Sequence, residues 1–187
     1  LGVRYQDGIG VRKDMRRANK LYKQACDLKS GDGCSKLGVS YAQGSGINKD
    51  IWRANELFKQ GCDLKHGRGC SNLGVRYQDG IGVRKDMRRA HELFKQGCDL
   101  KNGHACAVLG NSYANGNGVN KDLRRANELF KQACDLKNGF ACAALGNSYR
   151  FGTGVNKDVW RANELYKQGC DLKTGFACAV LGNSYAN

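Results

Sequence analysis

Apolar residues recur at helical intervals along the chain, and they do so twice in every 36 residues. In one half of each stretch, Ala54, Leu57, Phe58 and Gly61 stand at i, i+3, i+4 and i+7, one stripe of a helix. Asp50 precedes that stripe, and its carboxylate suits an N-cap. The spacing predicts helices near 14–27, 50–63, 86–99, 122–135 and 158–171, called B below. In the other half, Cys70, Leu73, Gly74 and Tyr77 form a second stripe, broken by Gly80 and Gly82 where the chain must turn. These A helices are expected near 32–43, 68–79, 104–115, 140–151 and 176–187, with a remnant at 1–7. Gly38, Gly74, Gly110 and Gly146 interrupt them at a propensity cost of roughly 1 kcal/mol each. A small residue kept at that cost reads as a place where helix B approaches closely.

The period organises the whole chain. Cys26, Cys62, Cys98, Cys134 and Cys170 are 36 residues apart, and so are Cys34, Cys70, Cys106, Cys142 and Cys178. A fixed period of this length, carried by helix pairs, is the mark of a solenoid in which each unit touches mainly its neighbours. The expectation is one repeat domain over 1–187, with units near 1–31, 32–67, 68–103, 104–139 and 140–175 and a partial unit at 176–187. Residues 1–18 and 73–90 are identical, consistent with recent duplication or with a designed array. No apolar run reaches membrane-spanning length. The sequence starts at Leu1 inside a repeat, so a signal peptide is expected to have been removed or to lie outside it.

Charge adds a second theme. The chain carries 31 basic and 17 acidic residues, a formal +14, which attracts anionic partners over long range. The basic residues concentrate as VRKDMRR at 11–17 and 83–89, at the start of helix B. Aromatic residues are not interleaved with these arginines, so nucleic-acid stacking is not expected, and a solvated face is the simpler reading.

The run Leu109-Gly110, Tyr113, Gly116, Gly118-Val119, Lys121-Asp122, Arg125-Ala126, Leu129-Phe130 and Ala133 resembles the Sel1-like repeat, a relative of the tetratricopeptide repeat. With cysteines at the end of helix B and the start of the next helix A, the chain more narrowly resembles the Helicobacter cysteine-rich protein family. The resemblance covers essentially the whole chain. It implies an all-α fold, an α/α solenoid wound as a right-handed superhelix of 36-residue helix-turn-helix repeats stapled by local disulfides. The pairs would be Cys26–Cys34, Cys62–Cys70, Cys98–Cys106, Cys134–Cys142 and Cys170–Cys178, each closing a short turn. Zinc ligation and free thiols remain alternatives from the residues alone, although no histidine keeps the period and the spacing is not that of a zinc knuckle. Disulfides would place the protein in an oxidising compartment, secreted or periplasmic.

In tetratricopeptide-like superhelices, helix A lines the concave groove, and the resemblance carries that face over to this chain. Two residues after each Leu-Gly leucine stand Val39, Val75, Asn111, Asn147 and Asn183; five before it stand Asp32, Arg68, His104, Phe140 and Phe176. One turn further on come Gln43, Asp79, Asn115, Phe151 and Asn187, with Arg76 and Arg150 close by. An asparagine amide donates and accepts at once, as an extended peptide requires, and the Leu-Gly-Asn arrangement resembles the peptide-clamping asparagine of tetratricopeptide repeats. Phe140, Phe151 and Phe176 would offer a pocket for a side-chain anchor or fill the seam between units; the seam is the more ordinary place for helical aromatics.

Members of the cysteine-rich family are described as weak penicillin-binding proteins or β-lactamases. Such serine enzymes need Ser-x-x-Lys, and no serine here satisfies it. KTG at 173–175 and YAN at 113–115 and 185–187 imitate accessory motifs, but the first falls at a position that varies between repeats. His66, His91 and His104 occupy three unrelated phases of the repeat. The sequence thus reads as an extracytoplasmic protein-interaction scaffold, monomeric, without cofactor or metal, binding a protein or an acidic peptide. Polyanion binding on the basic edge and weak β-lactam-directed activity are the rival readings.

Overall fold

The computed structural model describes residues 1–185, and Asn187, singled out above, lies outside them. Among the described residues every regular element is a helix: α1 (Gly2–Asp7), α2 (Met15–Asp27), α3 (Gly31–Gln43), α4 (Ile51–Asp63), α5 (Gly67–Asp79), α6 (Met87–Asp99), α7 (Gly103–Asn115), α8 (Leu123–Asp135), α9 (Gly139–Phe151), α10 (Val159–Asp171) and α11 (Gly175–Tyr185). Odd-numbered helices are the expected A helices and even-numbered ones the B helices. Contacts divide the chain into two compact units, Leu1–Leu100 and Lys101–Asn187.

Local chemistry explains why the helices start and stop where they do. Asp14, Asp50, Asp86, Asp122 and Asp158 each accept the backbone N–H three residues on, capping all five B helices as their position predicted. Each A helix with a described cap at its C-terminus ends on a glycine in the left-handed region, such as Gly80 at φ 72°. The B helices end differently. Lys29, Lys65, Lys101, Lys137 and Lys173 take φ between 58° and 65°, where a glycine is the usual occupant. Around Lys65, its own N–H reaches Cys62 O at 2.9 Å and the next N–H, of His66, reaches Gly61 O at 3.0 Å. Those two bonds satisfy carbonyls left open at the helix end and offset a backbone cost of about 1–2 kcal/mol.

Within unit 1, α3 packs on α4 and α5 on α6, while α2 meets α3 and α4 meets α5 across the repeat boundary. Ala54, Phe58, Cys62, Cys70, Leu73 and Leu93 form one of its core clusters. A Cβ on Gly74 would sit 2.8 Å from the Phe94 ring, so the glycine is what lets α6 lie so close to α5. Asn55 Nδ2 donates to Ile81 O at 2.9 Å, and Asn19 Nδ2 to Ser45 O at 2.7 Å; α4 and α2 thereby hold the turn of the following repeat. Cys26–Cys34 and Cys62–Cys70 join B to the next A, with Cα atoms 4.5 Å apart.

Unit 2 repeats the scheme. Here α7 packs on α8, α9 on α10, and α8 and α10 meet α9 and α11. Gly110 faces Phe130 at the same 2.8 Å, and Asn127 Nδ2 donates to Thr153 O at 2.8 Å. Ala143, Ala162, Tyr166 and Ala177 form a buried cluster. Cys134–Cys142 and Cys170–Cys178 are bonded with Cα atoms 4.7 and 4.6 Å apart. Cys98 and Cys106 are also disulfide-bonded, and no described cysteine is free. The thiolates that zinc ligation would need are therefore consumed. No described helix is long and apolar enough to cross a membrane.

Candidate functional site

On unit 2, the A helices carry most of the residues singled out from the sequence. His104, Phe140 and Phe176 stand second in α7, α9 and α11, in the first turn, and all three are exposed. Phe151 closes α9 and Asn115 closes α7, both exposed. At 70%, 67% and 51% exposure, Phe140, Phe151 and Phe176 do not fill the seam between units, which corrects the more ordinary expectation. The seam is instead filled from helix B by Phe130 and Tyr166, whose rings lie under Gly110 and Gly146 and leave the outer aromatics no space inside.

The asparagines differ among themselves. Asn111 and Asn183 are exposed, whereas Asn147 is half-buried. Asn147 Oδ1 accepts the hydroxyl proton of Tyr166 at 2.7 Å. Tyr166 is fully buried apart from this contact with the helix-A face, and burial raises the pKa of its phenol, with nearby Arg150 opposing the rise. Arg150 lies near enough to Tyr166 to act on it electrostatically and stands 5.4 Å from the centroid of the Phe151 ring. Asn147, Arg150 and Phe151 thus share the C-terminal half of α9, with the Tyr166 phenol bonded to Asn147 and the guanidinium set against Phe151. Phe140 lies on the same helix, seven residues earlier, roughly 10 Å along its axis.

Arg68 and Arg76 belong to unit 1. Arg68 is exposed in the first turn of α5. Arg76 is half-buried, with its guanidinium 5.5 Å from the Phe58 ring centroid and its Nε buried without a hydrogen-bond partner, so it packs the α4–α5 seam as much as it faces solvent. Near Arg68, at the start of α5, lies a polar knot. Ser35 Oγ donates to Gly31 O at 2.8 Å and therefore takes its second bond, 2.9 Å long, from the Nδ1–H of His66. His66 Nε2 lies 3.7 Å from Asp32 Oδ1, and Lys36 pairs with the same carboxylate. Burial lowers the His66 pKa most, Asp32 opposes this, and Arg68 and Lys36 reinforce it. Having turned toward Ser35, His66 leaves α5 without a side-chain cap, where Ser30, Asn102 and Asn138 cap the equivalent helices.

The basic edge is exposed at Arg12, Lys13, Arg16 and Arg17 and again at Arg84, Lys85, Arg88 and Arg89. Cations in the first turn of a helix oppose its dipole, and the fold answers by stacking: Arg17 lies over Tyr5 at 5.7 Å and Arg89 over Tyr77 at 6.0 Å. A depression of about 750 Å³ opens there, lined by Tyr5, Arg12, Lys13, Arg16 and Gly46 among others. Its counterpart in unit 2, about 950 Å³, is lined by Tyr113, Val119, Lys121, Arg124 and Gly154. Neither is lined by a residue singled out on the A face.

The sequence reading missed Tyr166 and the turn-holding Asn19, Asn55 and Asn127. A signal for the first was present: Tyr22 and Tyr166 occupy a core position where the other repeats have Phe58, Phe94 and Phe130. A hydroxyl added to a buried ring must find a partner, and Gln6 Oε1, at 2.6 Å from Tyr22, and Asn147 are those partners. The signal for the others was a recurring amide on the B helix, at a fixed phase beside a core alanine.

The model of the Sel1 repeat matches residues 1–30, 31–66, 67–102, 103–138 and 139–173. Among solved structures, a Sel1 repeat protein from Oxalobacter formigenes is 31% identical, superposes with a TM-score of 0.91, and is matched over 100% of this chain and 76% of that one. The protective antigen c5321 of uropathogenic Escherichia coli is 27% identical with a TM-score of 0.82, over 98% of this chain and 39% of that one. Cysteine rich protein B of Helicobacter pylori is 30% identical with a TM-score of 0.58, over 74% of this chain and 99% of that one. A search of curated proteins gave no match. With five repeats matched in tandem and the helix pairs, turns and disulfides in place, the chain belongs to the Sel1 repeat family.

Proposed function

We propose that the chain is an extracytoplasmic protein-interaction scaffold and that the A face of unit 2 takes an extended peptide. The observation that carries this reading is the exposure of Phe140, Phe151 and Phe176 on helices whose Leu145, Tyr149, Val180 and Leu181 are buried or half-buried. Three large aromatics left in water on one family of helices cost solubility unless they serve a contact. Asn111, Asn147 and Asn183 stand on the same helices and supply backbone-type hydrogen bonds. The disulfides support a periplasmic or secreted location. The net charge of +14 favours an acidic partner. A single repeat domain acting as a monomer completes the proposal.

The test uses the oxidised chain and the blocked neutral peptide acetyl-Ala-Phe-Gln-Phe-Ala-amide, with binding followed by fluorescence anisotropy of a labelled copy. Phe140→Ser and Phe151→Ser are expected to weaken binding by about tenfold each, as for aromatic anchors of an interface. Binding that is absent in the parent chain, or unchanged in both variants, overturns the reading.

A further inference from the structure

Tyr166 sets the hydrogen-bonding sense of the amide beside it. A free asparagine side chain presents either its oxygen or its NH₂ to a ligand. At Asn147 the choice is already made, because the Tyr166 hydroxyl proton lies on Oδ1 at 2.7 Å. The phenol has one proton to give, it is spent on Asn147 Oδ1, and Arg150 stands close by as a positive charge. The bond therefore runs in one direction, from phenol hydroxyl to amide oxygen. The outer end of the amide is the Asn147 NH₂. The N–H groups of Arg150 lie alongside, and the guanidinium is steadied against the Phe151 ring at 5.4 Å.

A surface built this way turns the amide oxygen toward the phenol and offers the amide NH₂ and a positive charge outward. Asn111 has no such constraint, since the residue beneath its repeat is Phe130, which lacks a hydroxyl. We propose that Asn147 and Arg150, oriented by Tyr166 and flanked by Phe151, form a carboxylate-binding subsite that selects an acidic group next to an apolar side chain. The subsite rests on the peptide-binding reading above and names the chemistry that reading leaves open. A carboxylate fits because its two oxygens only accept and its charge is opposite to that of Arg150, whereas a neutral amide brings an NH₂ that meets donors. The carboxylate comes either from an acidic side chain within the peptide or from a free C-terminus.

Three labelled peptides separate the possibilities: acetyl-Ala-Phe-Glu-Phe-Ala-amide, its glutamine counterpart, and the glutamine peptide with a free C-terminus. The parent chain is expected to prefer the glutamate or the free-acid peptide over the blocked glutamine peptide by about tenfold, the size of one charge-assisted hydrogen bond. Whichever acid is preferred identifies the source. Tyr166→Phe tests the cause with little risk to folding, because phenylalanine stands at this position in three other repeats as Phe58, Phe94 and Phe130. It is expected to bring the preference below about threefold while leaving affinity for the blocked glutamine peptide unchanged. Arg150→Gln is expected to abolish the preference. Equal binding of all three peptides by the parent chain, or full preference retained in Tyr166→Phe, overturns the subsite and leaves the groove reading intact; loss of every peptide by the parent chain defeats the groove reading itself.

Discussion

Two residues after the Leu-Gly leucine, unit 1 carries Val39 and Val75, whereas unit 2 carries Asn111, Asn147 and Asn183. Five residues before it, unit 1 has Asp32 and Arg68, and unit 2 has His104, Phe140 and Phe176. Val39 packs against the core cluster around Phe58, so in unit 1 this position helps to close the seam. In unit 2 the same position is polar, exposed at Asn111 and Asn183 and half-buried at Asn147, and the small apolar Ala105, Ala107, Ala141 and Ala143 take up core space in the A helices. The aspartate caps of the B helices and the bridges recur in both, while among the A-helix caps α5 differs in having none from its His66 side chain. A repeat frame held by aspartate caps, interior glycines and disulfides leaves a few positions per repeat free to vary, and those positions separate a charged A face in unit 1 from an aromatic and amide-bearing one in unit 2.

If the frame is shared, damage to it should cost the same in either unit. Replacing Cys62 and Cys70 together by alanine, or Cys134 and Cys142 together, is expected to lower stability by about 2–3 kcal/mol in each case, the chain-entropy value for so short a loop. Hydrogen exchange in the helices flanking each missing bridge, read against urea, measures this locally. A loss confined to one unit would break the comparison.

The asparagines sharpen it. Asn111→Ala removes a solvated side chain and should leave stability within a few tenths of a kcal/mol. Asn147→Ala strands the buried Tyr166 hydroxyl and is expected to cost about 1–2 kcal/mol. Thermal unfolding of the two single variants, with Asn147→Ala repeated in a Tyr166→Phe background, checks this: the cost should shrink once the hydroxyl is gone. Equal costs for Asn111 and Asn147 would deny Tyr166 its role.

The smallest expected effect concerns pH in unit 1. The folded-state pKa of His66 lies below its ordinary 6.5, so the unfolded chain takes up the proton first as pH falls. Its contribution to stability is complete above about 6.5 and is lost as pH falls through the lowered folded value. His91, also lowered by burial, contributes with the same sign. His66→Asn installs the capping residue found as Asn102 and Asn138, and the drop in stability between pH 7 and pH 5 should become smaller while the part due to His91 persists. An unchanged drop would remove His66 from the account.

Much of this was legible in the sequence because the fold is written in spacing. Leu73, Gly74 and Tyr77 announce helix A, Asp86 announces the next helix, and the cysteine ruler announces the bridge. Asn147 was legible as a residue but not as an oriented one. Its orientation depends on Tyr166, 19 residues away on another helix, and no local pattern reports a hydrogen bond between side chains so placed. The exposure of Phe140 and Phe151 was hidden for a related reason: which of several aromatics fills a seam depends on the space left by Gly110, Gly146 and the rings beneath them. Lysines in the left-handed region at the ends of the B helices gave no warning, since glycine or asparagine is the usual mark of that turn.

The central claim is that the variable A face of unit 2, and not the basic edge, is the binding surface. Amide chemical shifts of the isotopically labelled, oxidised chain, recorded during titration with acetyl-Ala-Phe-Glu-Phe-Ala-amide at about 0.15 M salt, test it directly. The account predicts that the shifts concentrate on α7, α9 and α11, largest around Asn147, Arg150 and Phe151, with Arg84 to Arg89 unmoved. Shifts centred on Arg84, Lys85, Arg88 and Arg89 that vanish at high salt, with α9 silent, would contradict it.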